Sequence, residues 1–249
     1  MSLPEHSFVS PEEHYSALET GDPRTIMEWA AATIPRLAVA TSFQSNGLVI
    51  LHIMRELRSD VPVLFLDTGF HFDETLAFKE QITKMWDLNV IDLHGEHGSA
   101  RRQAEIHGPE LYARDPDKCC FINKVEPLQR ALVDYDGWIS GLRRDQSPLR
   151  AETPIVEAQM LPSGDEVMKI HPLAHSTRED VAAYVKEHKI PTHPLLERGF
   201  RSIGCQPCTR AISDSEDERA GRWDGQAKTE CGIHSFGKEH GPRQSEAEQ

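Results

Sequence analysis

Five cysteines fall into three groups along this 249-residue chain: the adjacent pair Cys119-Cys120, the pair in Cys205-Gln206-Pro207-Cys208, and Cys231. Four thiolates complete a tetrahedral or cubane metal site, so a division into four and one leaves one thiol for other work. A C-x-x-C spacing by itself serves zinc sites, iron–sulfur sites and redox pairs. The adjacent pair is less usual. Neighbours on a helix point about 100° apart, so Cys119 and Cys120 reach one compact group only near a helix end. Asp115-Pro116-Asp117 supplies such an end. A pair of ordinary buried thiols and a structural zinc with four thiolates are the competing readings. Lys124, four residues past Cys120 on the same helical face, would offset thiolate charge. A solvated lysine is its plain alternative.

Cys231 stands in Thr229-Glu230-Cys231-Gly232-Ile233-His234. A reactive thiol is exposed and partly deprotonated. Gly232 gives access, and His234 with nearby arginines favours the thiolate. Arg219 and Arg222 lie upstream and would clamp an anion if this segment closes over a ligand. An exposed cysteine without a role, and arginines merely solvated, are the bland readings.

These groups need a scaffold. Residues 10–33 read as helical, broken near Gly21 and Pro23. Apolar runs at 37–41, 61–66 and 90–93 read as buried strands, with helices at 47–58 and 73–86 between them. Residues 118–133 carry helical periodicity, 137–141 and 167–170 read as further strands, and 176–179 has the spacing of a capping box for a helix reaching about His188. Alternating strands and helices indicate one α/β domain with a mostly parallel sheet flanked by helices. The expected organisation is an N-terminal helical segment at 1–35, a nucleotide- and cluster-binding domain at 36–212, and a flexible tail at 213–249 that carries Cys231.

In an open parallel sheet, ligands sit outside the carboxyl ends of the strands. Three polar loops fall there. The first holds Ser42, Gln44 and Ser45 before Gly47, at a helix N-terminus whose free N–H groups suit an anion. The second is Asp67-Thr68-Gly69. The third runs from Gly141 and contains Arg143, Arg144 and Arg150, whose guanidinium forks suit phosphate and sulfate oxygens. Ordinary turns explain any one loop, but less readily three on one edge.

With 38% hydrophobic and 27% charged residues the chain can bury a core, and its formal net charge of -13 argues against broad nucleic-acid binding. The N-terminal residues lack the basic start and apolar stretch of a secretory signal. The longest strongly apolar run, 61–66, is too short to span a bilayer. A cytoplasmic location without a membrane partner is expected, and there disulfides are disfavoured.

Taken together, these residues carry a resemblance. Cys119-Cys120 followed by Lys124 and Glu126-Pro127-Leu128, the run GLRRDQSP from Gly141, Ile203-Gly204-Cys205-Gln206-Pro207-Cys208-Thr209-Arg210, Gly221-Arg222-Trp223, Leu66-Asp67-Thr68-Gly69 and Glu230-Cys231-Gly232-Ile233-His234 resemble the assimilatory adenylyl-sulfate reductases of the bacterial iron–sulfur type. The likeness extends from about Leu37 to His234. It implies an adenine-nucleotide α-hydrolase-like fold and one [4Fe–4S] cluster per subunit on Cys119, Cys120, Cys205 and Cys208, with Lys124 beside it. It further implies Cys231 as the nucleophile, with Arg143, Arg144, Arg150, Arg219, Arg222 and His234 around a phosphosulfate. The implied reaction is reduction of adenosine 5′-phosphosulfate to sulfite and AMP through an S-sulfocysteine, with thioredoxin or a glutaredoxin-like dithiol protein as reductant, in sulfate assimilation and cysteine biosynthesis. A homo-oligomer is compatible with this. The first loop departs from the S-x-G-A-E-D-like sequence common in the family. A reductase for the 3′-phosphorylated nucleotide, or one that uses both, is the near alternative. An ATP pyrophosphatase of the PP-loop type is distant, because 42–47 lacks its tandem glycines and aspartate.

Overall fold

Apolar strands with no polar alternation need cover on both faces. The computed structural model, which describes residues 18–234, provides it. The strands are β1 (Leu37–Ala40), β2 (Val63–Asp67), β3 (Val90–His94), β4 (Gly137–Ser140), β5 (Val156–Met160) and β6 (Glu166–Ile170). They form one sheet in the order β3-β2-β1-β4-β6-β5. All neighbours are parallel except β5, which runs antiparallel to β6. The single α/β domain with a mostly parallel sheet is as the sequence indicates.

The pleat sorts the core into two halves. Val39, Val63, Phe65, Ile139 and Ile170 face one side, packed with Ile26, Met27 and Ala30 of α1 (Pro23–Thr33), Val49 and Ile53 of α2 (Ser45–Leu57), and Val181 of α8 (Arg178–Glu187). Their sheet neighbours Ala38, Leu64, Trp138 and Val167 face the other side, against Leu128 and Leu132 of α7 (Glu126–Leu132). Burying each large side chain stabilises the fold by roughly 1.5–3 kcal/mol.

The sequence did not indicate β5. Its inward positions are polar: Glu157 lies opposite Lys169 in the antiparallel register, and Gln159 accepts from the buried Trp138 Nε1 at 3.1 Å. A strand whose core face is charged inverts the usual hydrophobic pattern. The capping box is also one residue later than read. Thr177 caps α8, with Thr177 N–H donating to Asp180 Oδ2 at 2.8 Å and Asp180 N–H to Thr177 Oγ1 at 3.1 Å. Of the expected N-terminal helix, 10–17 lies outside the described residues. α1 begins at Pro23, behind the N-cap Asp22.

The expected helix over 118–133 is interrupted. α6 (Pro116–Cys120) runs into a π-helical turn (Phe121–Val125) and then α7. Pro127 cannot donate to the carbonyl four residues back, and its ring crowds that carbonyl. A turn closed by Glu126 N–H on Phe121 O accommodates the missing bond. It places both cysteines at a helix end. Gly95, just past β3, lets the chain pass this turn: a Cβ there would lie 2.5 Å from Ile122 O. Gly95→Ala should therefore cost roughly 1–3 kcal/mol by overpacking. For a chain of this size that lowers Tm by about 2–12 °C, and an unchanged thermal melt would contradict it.

Candidate functional site

A cavity of ≈ 930 Å³ opens at the carboxyl ends of β1 and β4. This is where the sheet order reverses and where open α/β sheets take ligands. Its floor is the loop entering α2. Phe43 there has φ 55° and is fully buried, with its ring edge-on to Phe65 at 5.8 Å. The loop closes so tightly that a Cβ on Gly47 would lie 2.0 Å from Thr41 Oγ1. Ser42, Gln44, Ser45, Gly47 and Gly141 all line the cavity. Gln44, however, spends its amide elsewhere. Nε2 donates to Ile203 O and Oε1 accepts from Ile203 N, both at 2.7 Å, which ties this loop to the segment bearing Cys205 and Cys208.

The arginines divide by role. Arg143, Arg150, Arg219 and Arg222 line the cavity. Arg143 is 2% exposed and bridges the first loop to the C-terminal segment: Nη1 donates to Asn46 Oδ1 at 2.6 Å and Nη2 to Glu218 at 2.8 Å. Arg150 holds Glu230 with a two-pronged fork at 2.7 and 2.6 Å. Burial, with the charge of Arg150 beside it, lowers the pKa of Arg219 to about 10. Arg144 points away from the cavity, donating to Thr153 O at 2.7 Å and to Glu19 at 2.9 Å. The loop 67–69 also lies off the cavity lining. Asp67 accepts from Gly69 N at 3.0 Å, and Thr68 Oγ1 lies 3.3 Å from Cys205 Sγ.

All five thiols are buried. Cys120, Cys205, Cys208 and Cys231 cluster around Trp223, and Cys119 is near enough to Cys205 and Cys208 for their charges to interact. Burial pushes Cys119 up and takes Cys208 to about 11, with Cys205 adding to each. Two amides, Gln103 Nε2 and Asn123 Nδ2, each reach Cys119 Sγ at 3.6 Å. Burial opposes the charge on Lys124, but Cys205, Cys231 and Cys120 outweigh it and raise its pKa. Among the described residues, no three His, Cys, Asp or Glu side chains are set to hold a single metal ion.

Cys231 differs from the other four. The Cys120 thiol donates to it, burial opposes, and Lys124 and Arg222 reinforce, so its pKa falls well below the ordinary thiol value. The sequence suggested an exposed thiol, yet Cys231 is 8% exposed. The chain over 213–234 folds back: Arg210 N–H donates to Gly221 O at 2.9 Å and Trp223 N–H to Cys208 O at 3.1 Å. Positions 235–249 of the expected tail lie outside the described residues. His234 lines the cavity too. Burial, then Arg150, Lys169, His171 and Arg219, holds its imidazole neutral.

Residues 36–211 match the phosphoadenosine phosphosulfate reductase domain. The chain belongs to the phosphoadenosine phosphosulfate reductase family. It is 44% identical over 220 residues to an adenosine 5′-phosphosulfate reductase of Streptomyces coelicolor, covering 87% of this chain and 90% of that one. It is 41% identical over 202 residues to a phosphoadenosine 5′-phosphosulfate reductase of Gloeobacter violaceus, covering 80% and 83%. A crystal structure of phosphoadenylyl-sulfate reductase from Candida auris, in a phosphate complex, superposes with a TM-score of 0.70 at 28% identity, over 82% of this chain and 98% of that one.

For a member of this reductase family, sequence reading missed part of the wall. Arg178, Lys186, Lys189 and Arg201 add positive charge to the cavity. They are single basic residues on an exposed helix or loop, and nothing in their spacing distinguishes them from solvated ones. In the first loop, the Asn46 amide joins Gly141 O at 2.7 Å to Arg143. Gly204 sits under Arg222, where a Cβ would lie 2.2 Å from Nη2. Gly204→Ala should displace that guanidinium and raise KM for an anionic nucleotide about tenfold, the scale of one charge-assisted hydrogen bond. Steady-state kinetics check this, and an unchanged KM would show that Arg222 does not hold substrate.

Proposed function

We propose that this reductase acts on adenosine 5′-phosphosulfate and releases sulfite and AMP, with Cys231 as nucleophile. The carrying observation is the placement of Cys231 in the wall of an arginine-lined cavity, beside Lys124 and Arg222, whose positive charges favour its thiolate. The Cys231 thiolate attacks the sulfonyl sulfur. The bond from sulfur to the bridging oxygen breaks, and AMP leaves with its electron pair, giving a cysteine S-sulfonate. A thiolate of a dithiol protein such as thioredoxin or a glutaredoxin-like protein then attacks Cys231 Sγ. Sulfite leaves with the S–S electron pair, and the second thiol resolves the mixed disulfide. The dithiol supplies both electrons. Arg150, Arg219 and Arg222 would stabilise the transferring anion. The segment over 213–234 closes on the nucleotide and opens for the dithiol protein.

The thiol pocket fits an iron–sulfur cluster through its donor set. Four buried sulfurs lie near the half-buried Lys124, with the Thr68 hydroxyl and the amides of Gln103 and Asn123 directed at sulfur. Cys119, Cys120, Cys205 and Cys208 would hold a [4Fe–4S] group, which would tie the two cysteine-bearing segments together next to the reacting thiol. Lys124 would balance its thiolates.

A sulfite-release assay with reduced thioredoxin, run with the nucleotide bearing and lacking a 3′-phosphate, tests the assignment. Faster turnover of the unphosphorylated nucleotide is expected. Exclusive use of the 3′-phosphorylated one would overturn the substrate choice. Iron and inorganic sulfide in anaerobically purified protein are expected, and zinc without sulfide would reject the cluster. A cytoplasmic, reducing compartment suits this chemistry. No helix among the described residues is long and apolar enough to cross a membrane.

A further inference from the structure

Glu230 immediately precedes the reactive thiol, and its carboxylate lies between two of the cavity arginines. Oε2 accepts from Arg150 Nε at 2.7 Å. Oε1 accepts from Arg150 Nη2 at 2.6 Å, from Arg219 Nη2 at 3.0 Å and from the Cys231 backbone N–H at 2.8 Å. The remaining Arg150 nitrogen, Nη1, donates to Gln146. The two-pronged fork of Arg150 is therefore occupied while Glu230 is in place. The geometry is that of a planar anion in an arginine fork, and the anion here belongs to the protein.

Two further contacts seat the same stretch. Glu218 takes Arg143 Nη2 at 2.8 Å, and Lys228, with a side chain 6% exposed, pairs with Asp117 beside the cysteine pair. The stretch thus closes over the thiols by ion pairs, and the acids at both ends use arginines that face the cavity. A substrate oxyanion needs the same guanidinium groups. A carboxylate and a sulfonate or phosphate at contact distance repel each other, and the Nε–Nη2 fork of Arg150 cannot grip both in the same two-pronged way.

The geometry points to Glu230 as an internal stand-in for the substrate oxyanion: it holds the Cys231 segment shut on Arg150 and Arg219, and an arriving oxyanion takes those arginines by displacing it. Binding at the anion site and release of the Glu230 latch then become one event, and the freed segment closes again on the bound nucleotide with Cys231 at the sulfonyl group. Charge on the ligand, not its adenosine, opens the segment. The inference rests on reading this edge as an oxyanion site and names how that site is gated.

Inorganic sulfate is the probe, because it offers the oxyanion without the nucleotide or the reaction. The readout is tryptic cleavage after Lys228, which requires the segment to leave its seat. In the unmodified protein, sodium sulfate should speed this cleavage several-fold over sodium chloride at matched ionic strength. Glu230→Gln keeps the shape and removes the charge. It should be cleaved at the fast rate without sulfate, and should bind sulfate about tenfold tighter by calorimetry, the scale of a charge-assisted hydrogen bond regained. Equal cleavage in sulfate and chloride by the unmodified protein overturns the proposal, even if the variant does not fold. So does a variant whose sulfate affinity is unchanged or weaker. None of these readouts needs turnover. A protein that releases sulfite yet fails them loses the gate alone, whereas one that passes them without releasing sulfite loses the assigned reaction.

Discussion

Replacing Cys231 with serine should lower sulfite release by on the order of 10⁵-fold, as expected when a covalent nucleophile is removed from an otherwise intact site. A serine hydroxyl is the same size but stays protonated where the thiol ionises. The charges of Lys124 and Arg222 favour the Cys231 thiolate, and neither brings an alcohol near neutrality. Even a transient serine sulfate would strand the reaction, because the dithiol must attack sulfur at position 231 and would find oxygen. The expected pattern is loss of kcat with nucleotide affinity kept, since Arg150, Arg219 and Arg222 remain. Single-turnover labelling with radioactive sulfur checks it: label should stay on the native protein after denaturation and be absent from Cys231→Ser. Label retained by the variant would move the covalent bond to another residue.

How much of this site was legible beforehand depends on the kind of signal each residue carries. The cysteines could be found because thiols are rare and their spacing is chemically restrictive, and the five come together with Cys231 in the cavity wall. Arg150, Arg219 and Arg222 were legible because they fall in loops at strand ends or next to the odd thiol. Arg144 could not be told from Arg143. Adjacent loop residues point in different directions, and only the fold shows one committed to Asn46 and Glu218 and the other to Glu19 and Thr153. Gln44 read as an anion donor, but its amide pairs with the backbone of Ile203, which is 159 residues away in sequence. Glu230 drew no attention as an acid beside a cysteine. Its meaning comes from two arginines that the chain brings to it from positions 150 and 219.

The same limit hides a charged group behind the site, and it should dominate stability. Lys169 on β6 and His171 just past its end are fully buried, and Glu157 on β5 lies 3.0 Å from Lys169 Nζ and 3.2 Å from His171 Nε2. Lys169 also lies 5.1 Å from the centre of the Trp138 ring. Burial alone would raise the Glu157 pKa. The His171 hydrogen bond and the Lys169 charge overcome it and bring the carboxyl to about 2. Removing one member of a buried pair leaves uncompensated charge in the interior. Glu157→Gln keeps an acceptor oxygen but not the charge, so it should cost about 3 kcal/mol, the low end for such a break. The folded pKa lies below the ordinary 4.5, so this carboxylate stabilises the fold fully above pH 4.5. The contribution fades as pH falls toward 2. The stability gap between native protein and Glu157→Gln should therefore be wide at pH 7 and narrow steadily below pH 4.5, measured by urea unfolding across that range. A gap that stayed constant with pH would mean that the carboxylate acts through shape alone. Because Lys169 and His171 also bear on His234, the loss of Glu157 should leave the cavity wall more positive. Buried charge would then couple the stability of the sheet edge to the electrostatics at the thiol.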